Sequence, residues 1–449
     1  MLIQVCVGSS KTVVLSQPLP YLSHKIHQAW ARSRGMTLAG TGDKSDVDGL
    51  GFFGRGDTWR RLRTFLQTDL LSPQAARGYV TGVAEAATVA SRAAPLHASA
   101  GTLNDFLNHA AFDMFSAIFF GHSSRVADPN TPTDPEDAAF CSAAVNSLAL
   151  LIEHLFDLRQ GLLIKAGVET ELHKSFVKEM DIVHSIAKTK IERFIERYDR
   201  DELNDVEKAS YLARAIERFR AEDSSVSAEE FKDICVLLLN ASVDTTSTFI
   251  AWLVVHLSVN PDVQQKLYEE VKANIEQEGG MLTAEMLTKK RSPYLHATMR
   301  ESHRKTPVHP TTLTKSNSES PVTVHGLEFE AGSVFTFDQH SAGMDPSIID
   351  EPHVFRPERW LSEGLEAAKG TPAEMLDHPF YRDPFSQGAR RCPGSRVAIN
   401  ETLAILAQLV HDYEIKAPAN IETYQDYDYK QMTLLVPQLP KLEFTPRAY

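Results

Sequence analysis

Cysteine is scarce in this chain. Four occur in 449 residues, Cys6, Cys141, Cys235 and Cys392, and no two stand in a CxxC or other paired spacing. That excludes a disulfide framework or a cysteine-rich zinc site and fits a reducing compartment. Positive charge is also short: 46 Lys and Arg face 59 Asp and Glu, for a net charge of −13. Such a balance argues against binding nucleic acid. No Pro/Gly/Ser-rich spacer, charge block or repeat interrupts the chain. The length alone would accommodate about three domains of ~150 residues, but nothing marks a boundary. The N-terminus has no signal peptide, transit peptide or membrane span. Flavin and nicotinamide fingerprints are missing too, so any electrons the chain consumes must come from a partner.

What is present gathers around one cysteine. The stretch Phe385-Ser386-Gln387-Gly388-Ala389-Arg390-Arg391-Cys392-Pro393-Gly394 sets it in a turn-prone segment, and an apolar helical pattern runs from Val397 to Leu409. Glycines permit tight left-handed turns close to another object. Adjacent arginines favour a thiolate and can grip carboxylates. An arbitrary lone cysteine is usually a small buried hydrophobe, but here every fixed position of F-x-x-G-x-R-x-C-x-G is filled.

Three further stretches bear polar groups that require a reason. Trp59 and Arg63 stand at i and i+4 and share a helix face. They read as a solvated basic turn or as a grip on a buried carboxylate, for which a guanidinium is the right chemistry. Ser227 and Glu230 open a long helix with a capping box. Its apolar run holds Ala241-Ser242-Val243-Asp244-Thr245-Thr246 in the middle. Those groups form either a solvent-facing stripe with hydroxyls bonded back to the helix or a functional cluster. Glu301 and Arg304, at i and i+3, read alone as a surface pair worth ~0.2–0.5 kcal/mol. Phe355-Arg356-Pro357-Glu358-Arg359-Trp360 follows them.

Taken in order, these motifs resemble those of the cytochrome P450 family, with a weaker similarity to its mitochondrial-type branch in Leu70-Leu71-Ser72-Pro73 and Ala75-Ala76. The resemblance spans most of the chain. It implies a mainly α fold with small β-sheets, a helical lobe beside a smaller β-rich lobe, in a single domain over 1–449. It implies haem b with Cys392 as axial thiolate, bordered by Phe385, Gly388, Arg390 and Gly394, and with Trp59 and Arg63 at a propionate. Asp244 and Thr245 become a proton-relay acid and an alcohol at the oxygen site, although Ser242 replaces the motif's glycine. Glu301, Arg304 and Arg359 become a buried structural triad, in which His303 and Lys305 are more polar than the family's leucines. No arginine stands at Thr312–Lys315, where the family often has one for a propionate. Arg300 falls at a donor-docking position, with His296 at the second such position and Arg391 and Arg396 nearby.

The implied function is a monooxygenase that inserts one atom of O2 into an apolar small molecule of lipid, sterol or terpenoid class. Its electrons come from a ferredoxin-type or flavoprotein donor. The alternatives are an isomerase or dehydratase acting on peroxides, and a non-catalytic haem-binding protein. The resemblance further implies a monomer associated with the mitochondrial inner membrane or endoplasmic reticulum, although the family's N-terminal anchor or targeting segment is missing from this chain. Of the remaining segments, 1–15 reads as a hairpin turned at Gly8-Ser9-Ser10. Residues 35–57 read as a loop with Phe52-Phe53 bordering the substrate pocket. Helices are expected over 103–121, 140–165 and 170–198, and after a good N-cap at Asn260-Pro261. A small sheet is expected over 322–337, a long loop over 362–384 and a final hairpin over 424–440.

Overall fold

A computed structural model describes residues 2–7, 10–15, 56–156, 159, 163, 168–222, 224–315, 320–324, 326–331, 333–431 and 434–447. The loop with Phe52-Phe53 lies outside these residues, as does the turn at Gly8-Ser9. Helices dominate. In chain order the main ones are α1 Gly56–Leu70, α2 Val80–Ala100, α3 Leu103–Phe119, α4 Pro135–Phe156, α5 Glu171–Asp199, α6 Tyr211–Arg220, α7 Ala228–Ser258, α8 Pro261–Gln277, α9 Pro293–Lys305 and α10 Ser395–Asp412. The strands are β1 Leu2–Val7, β2 Ser10–Leu15, β3 Thr311–Lys315, β4 Val322–Val324, β5 Leu327–Phe329, β6 Val334–Asp338, β7 Tyr413–Lys416, β8 Tyr429–Gln431, β9 Leu435–Pro437 and β10 Glu443–Pro446.

Helix α7 is the axis of the packing. It starts where the capping box predicts: Ser227 Oγ accepts from Glu230 N at 3.3 Å and Glu230 Oε2 accepts from Ser227 N at 2.8 Å. Two orphan amides are thereby satisfied. Helices α3, α5 and α10 pack against it. Buried side chains from Leu62 to Phe444 join in one contiguous core around it. Among the described residues α7 alone is long and apolar enough to cross a membrane, and 67% of that stretch is buried inside the protein.

The N-terminal hairpin pairs Leu2 with Leu15, as the alternation predicts. It is then extended by strands from the far end of the chain, in the order β1-β2-β6-β3, with Thr12 opposite Phe337 and Thr312 opposite the same residue on the other side. Three two-stranded antiparallel sheets complete the strand-rich part: β4-β5, β7-β10 and the expected final hairpin β8-β9.

Three expectations change. Residues 322–337 do not form one small sheet: β4 pairs with β5, while β6 lies between β2 and β3. Residues 362–384 are not a plain loop. They form a helix at Ser362–Ala368, a 3-10 turn at Pro372–Asp377 and a short helix at Pro379–Arg382. Pro372 and Pro379 occupy first-turn positions, where the missing N–H costs nothing, and Thr371 and His378 cap them. Asn260 does not cap α8 with its side chain. Its Nδ2 instead donates to His256 O at 2.7 Å, closing the end of α7.

Candidate active site

The cysteine loop is held at its root by Asp383. Asp383 Oδ1 accepts from Phe385 N at 3.0 Å, and Phe385 O accepts from Cys392 N at 2.8 Å. Gly388 sits at φ +76° with open space around it, so this glycine is needed for its left-handed backbone rather than for room. Gly394 lies against the sulfur: a Cβ there would stand 3.9 Å from Cys392 Sγ. Its amide bonds to the sulfur. Burial pushes the Cys392 thiol up, while this amide and the Arg63 and Arg391 guanidiniums pull it back toward the thiolate.

Helix α1 brings Trp59 and Arg63 to the same loop. The Arg390 guanidinium lies 4.1 Å from the centre of the Trp59 ring, a cation–π stack. Arg63 Nε donates to Gln67 Oε1 at 2.9 Å, and its Nη2 donates to the Arg391 carbonyl. Burial lowers the Arg63 pKa, and the neighbouring cysteine opposes that shift. The basic run of α1 is therefore divided by function. Arg60 is exposed beside Asp57, Arg61 forms a two-pronged pair with Glu230 at 2.7 and 2.9 Å, and Arg63 faces the cysteine loop.

Helix α7 opens in its middle. Ala241 is exposed and Ser242, Asp244 and Thr245 are half-buried, between fully buried stretches. This arc of small and polar residues interrupts the buried course of α7. Ser242 Oγ donates to Leu239 O at 2.9 Å and Thr245 Oγ1 to Ala241 O at 3.2 Å, so each hydroxyl presents its lone pairs to the opening. Burial pushes the Asp244 carboxyl up to about 7, and among the described residues no ion pair offsets it. Thr246 faces the other way and meets Glu401 Oε2 of α10 at 3.4 Å.

Glu401 was not singled out from the sequence. It is 1% exposed, its Oε1 has no partner among the described residues, and burial holds its carboxyl well above the usual range. A signal existed: a carboxylate one turn after Val397, on the same apolar face as Ala404 and Ile405.

The expected triad is buried. Glu301 is fully buried and accepts from Arg304 Nη2 and Nε at 2.7 and 2.9 Å, from Trp360 Nε1 at 2.8 Å and from Arg356 N at 3.0 Å. Arg359 Nε lies 3.5 Å from Glu301 and its Nη1 lies 2.9 Å from Asp350. Arg304 Nη1 also reaches Gly343 O at 2.7 Å, and a Cβ on Gly343 would meet the Arg304 carbonyl at 2.7 Å. Only glycine fits there. Lys305 extends the group: it is fully buried, bonds to the His353 carbonyl and lies 4.1 Å from the centre of the Tyr424 ring. Burial and then Arg304 push its amine down to about 7.

The expected basic patch is mostly neutralised. Arg300 is 12% exposed, pairs with Asp377 at 2.8 Å and stacks on Trp360 at 3.9 Å. Arg391 pairs with Asp383. His296 Nε2 meets Leu287 O at 2.9 Å. Arg396 remains exposed, its Nε bonded to Leu71 O at 2.7 Å. Asp377 and Asp383 both come from residues 362–384, the segment expected to be a loop. The side chains of Thr312–Lys315 lie outside the described residues.

These residues fit a haem. A half-buried sulfur, two arginines beside it and an indole ring border one side, and the open middle of α7 offers an unpaired acid and two hydroxyls. The comparisons with known proteins agree. The family model described as Cytochrome P450 matches residues 2–444. A probable cytochrome P450 49a1 from Drosophila melanogaster is 27% identical over 311 residues, 69% of this chain and 50% of that protein. The mitochondrial sterol 26-hydroxylase of Mus musculus is 26% identical over 375 residues, 81% of this chain and 66% of that protein. The chain thus spans from half to about two thirds of the length of these relatives. The crystal structure of a cytochrome P450 superposes with a TM-score of 0.68 at 17% identity, covering 99% of this chain and 94% of that one. A family match over residues 2–444, on a fold that buries the triad, means that the chain belongs to the cytochrome P450 family, whose cofactor is haem b held by a cysteine thiolate.

Proposed function

We propose that the chain is a haem-thiolate monooxygenase that inserts one atom of O2 into an apolar small molecule of lipid, sterol or terpenoid class. Cys392 is the axial ligand, with Phe385, Gly388, Arg390 and Gly394 shaping its loop and Trp59 and Arg63 holding a propionate. The haem, when bound, supplies the activation of oxygen. The protein's task is then to deliver protons and exclude bulk water. The observation that carries this reading is the Asp244 carboxyl, unpaired in the opening of α7 and pushed up by burial to about 7. A general acid is most effective when its pKa lies near the working pH. Asp244 holds a proton at its carboxyl oxygen, and Thr245 Oγ1, already donating to Ala241 O, accepts a hydrogen bond from whatever occupies the cleft. An enzyme that rearranged peroxides would have no use for this delivered proton.

The electrons come from a ferredoxin-type or flavoprotein donor on the cysteine side. Relatives named as mitochondrial support the ferredoxin type and a membrane-associated setting. The contiguous core supports one domain over the chain, and we take the protein to act as a monomer. Two measurements test the reading. Cys392→Ala is expected to abolish the thiolate-type spectrum of the ferrous carbon monoxide complex, and its survival would refute the ligand. Thr245→Ala and Asp244→Asn are expected to retain that spectrum while product formed per electron consumed falls, on the scale of the ~10²–10⁴-fold typical of a positioned proton donor. Unchanged coupling in both variants would remove the relay. Substrates are found by screening lipids and terpenoids for shifts of the haem optical spectrum.

A further inference from the structure

The acid at the root of the cysteine loop has a second consequence. Asp383 Oδ2 accepts from Gln387 Nε2 at 2.8 Å and pairs with Arg391 Nη1, while Oδ1 holds Phe385 N at 3.0 Å. Arg391 immediately precedes Cys392, and its Nε reaches Ser395 Oγ at 3.4 Å, on the first turn of α10 beyond the cysteine. The guanidinium thus spans the residues on both sides of the sulfur. The pair is partly shielded, with side-chain exposures of 34% for Arg391 and 13% for Asp383. Charges in such a setting act on a neighbouring centre more strongly than they would in water.

We propose that Asp383 is a positioning residue that neutralises Arg391 beside the thiolate and thereby holds down the reduction potential of the haem. An uncompensated cation beside the sulfur withdraws electron density from the ligand and favours the reduced metal. An uncompensated anion does the opposite. Asp383 and Arg391 present neither, because each cancels the other. The inference rests on Cys392 being the ligand.

The test is potentiometry of the haem-loaded protein at low salt, following only the species that shows the thiolate-type carbon monoxide spectrum. Asp383→Asn frees the Arg391 charge and is expected to raise the potential, by about tenfold in the one-electron equilibrium, or about 59 mV. Arg391→Gln frees the Asp383 charge and is expected to lower it. The double variant returns toward the starting value, Asp383→Glu stays close to it, and both single shifts shrink as salt screens the charges. General damage to the loop would move both single variants in the same direction, and that result, or no movement in either, overturns the proposal. If Asp383→Asn does not retain haem, the direction for Arg391→Gln decides alone. Failure of the ligand assignment is distinguishable, since it appears as a thiolate-type spectrum that survives Cys392→Ala.

Discussion

Glu401 is buried without a cation among the described residues, and its environment determines its ionisation. Transfer of a carboxylate into an apolar setting is so unfavourable that the group keeps its proton. Thr246 Oγ1, at 3.4 Å, offsets this only weakly. A carboxyl with a folded-state pKa above its unfolded value of ~4.3 contributes stability that is complete below ~4.3 and is lost as pH rises toward the folded pKa. Glu401→Gln keeps the shape and removes the titration. The melting temperature of the Gln variant relative to the parent is therefore expected to rise as pH is raised from 5 toward the folded-state pKa. A difference that stays flat over that range would mean that Glu401 is already ionised in the folded protein. Lys305 shows the complementary case at the end of α9: a buried amine, pushed down to about 7.

Helix α9 is tied to the segment after it through Glu301. Its carboxylate accepts from Arg304, Trp360 and Arg356 N and faces Arg359. Truncating one partner of such a buried network strands the remaining charges, at a cost of roughly 3–5 kcal/mol. Glu301→Ala is expected to give protein that melts far below the parent or fails to retain haem. A haem-loaded variant with the parent's melting temperature would show that the arginines find other partners. At the same scale, Arg61 and Glu230 clamp α1 to the first turn of α7, so the helix bearing Trp59 and Arg63 and the helix bearing Asp244 and Thr245 keep their spacing.

Over the whole molecule, the net charge of −13 does not leave the cysteine side uniformly acidic. Residues 362–384 supply Asp377 to Arg300 and Asp383 to Arg391. Exposed Arg396, bonded only through its Nε to the Leu71 carbonyl, is then better placed than Arg300 to meet the acidic donor proposed above. Arg396→Glu is expected to slow reduction by a ferredoxin-type donor at low salt, with the deficit shrinking as ionic strength rises. Arg300→Glu is expected to lower thermal stability instead, because it sets a second acid against Asp377 and removes the stack on Trp360. A salt-dependent slowing in Arg300→Glu with unchanged stability would restore Arg300 to the docking surface. Both variants are read by stopped-flow reduction and thermal melting.

Local chemistry was legible in the chain before any packing was known. The cysteine loop, the Ser227–Glu230 capping box, the apolar run of α7 and the Glu301–Arg304 spacing each follow from contacts within a few residues, so sequence alone determined them. Partner choice did not follow. Thr246 and Glu401 lie 155 residues apart, and Arg61 and Glu230 lie 169 apart. Such pairs form only when helices pack, and nothing local tells one surface arginine from another. The same limit hides the surroundings of Arg300, which Asp377 and Trp360 enclose. Tertiary structure alone decided which charges are cancelled, which acid of α7 is left unpaired and why only glycine fits at position 343, because each depends on the distance between segments that the sequence keeps far apart.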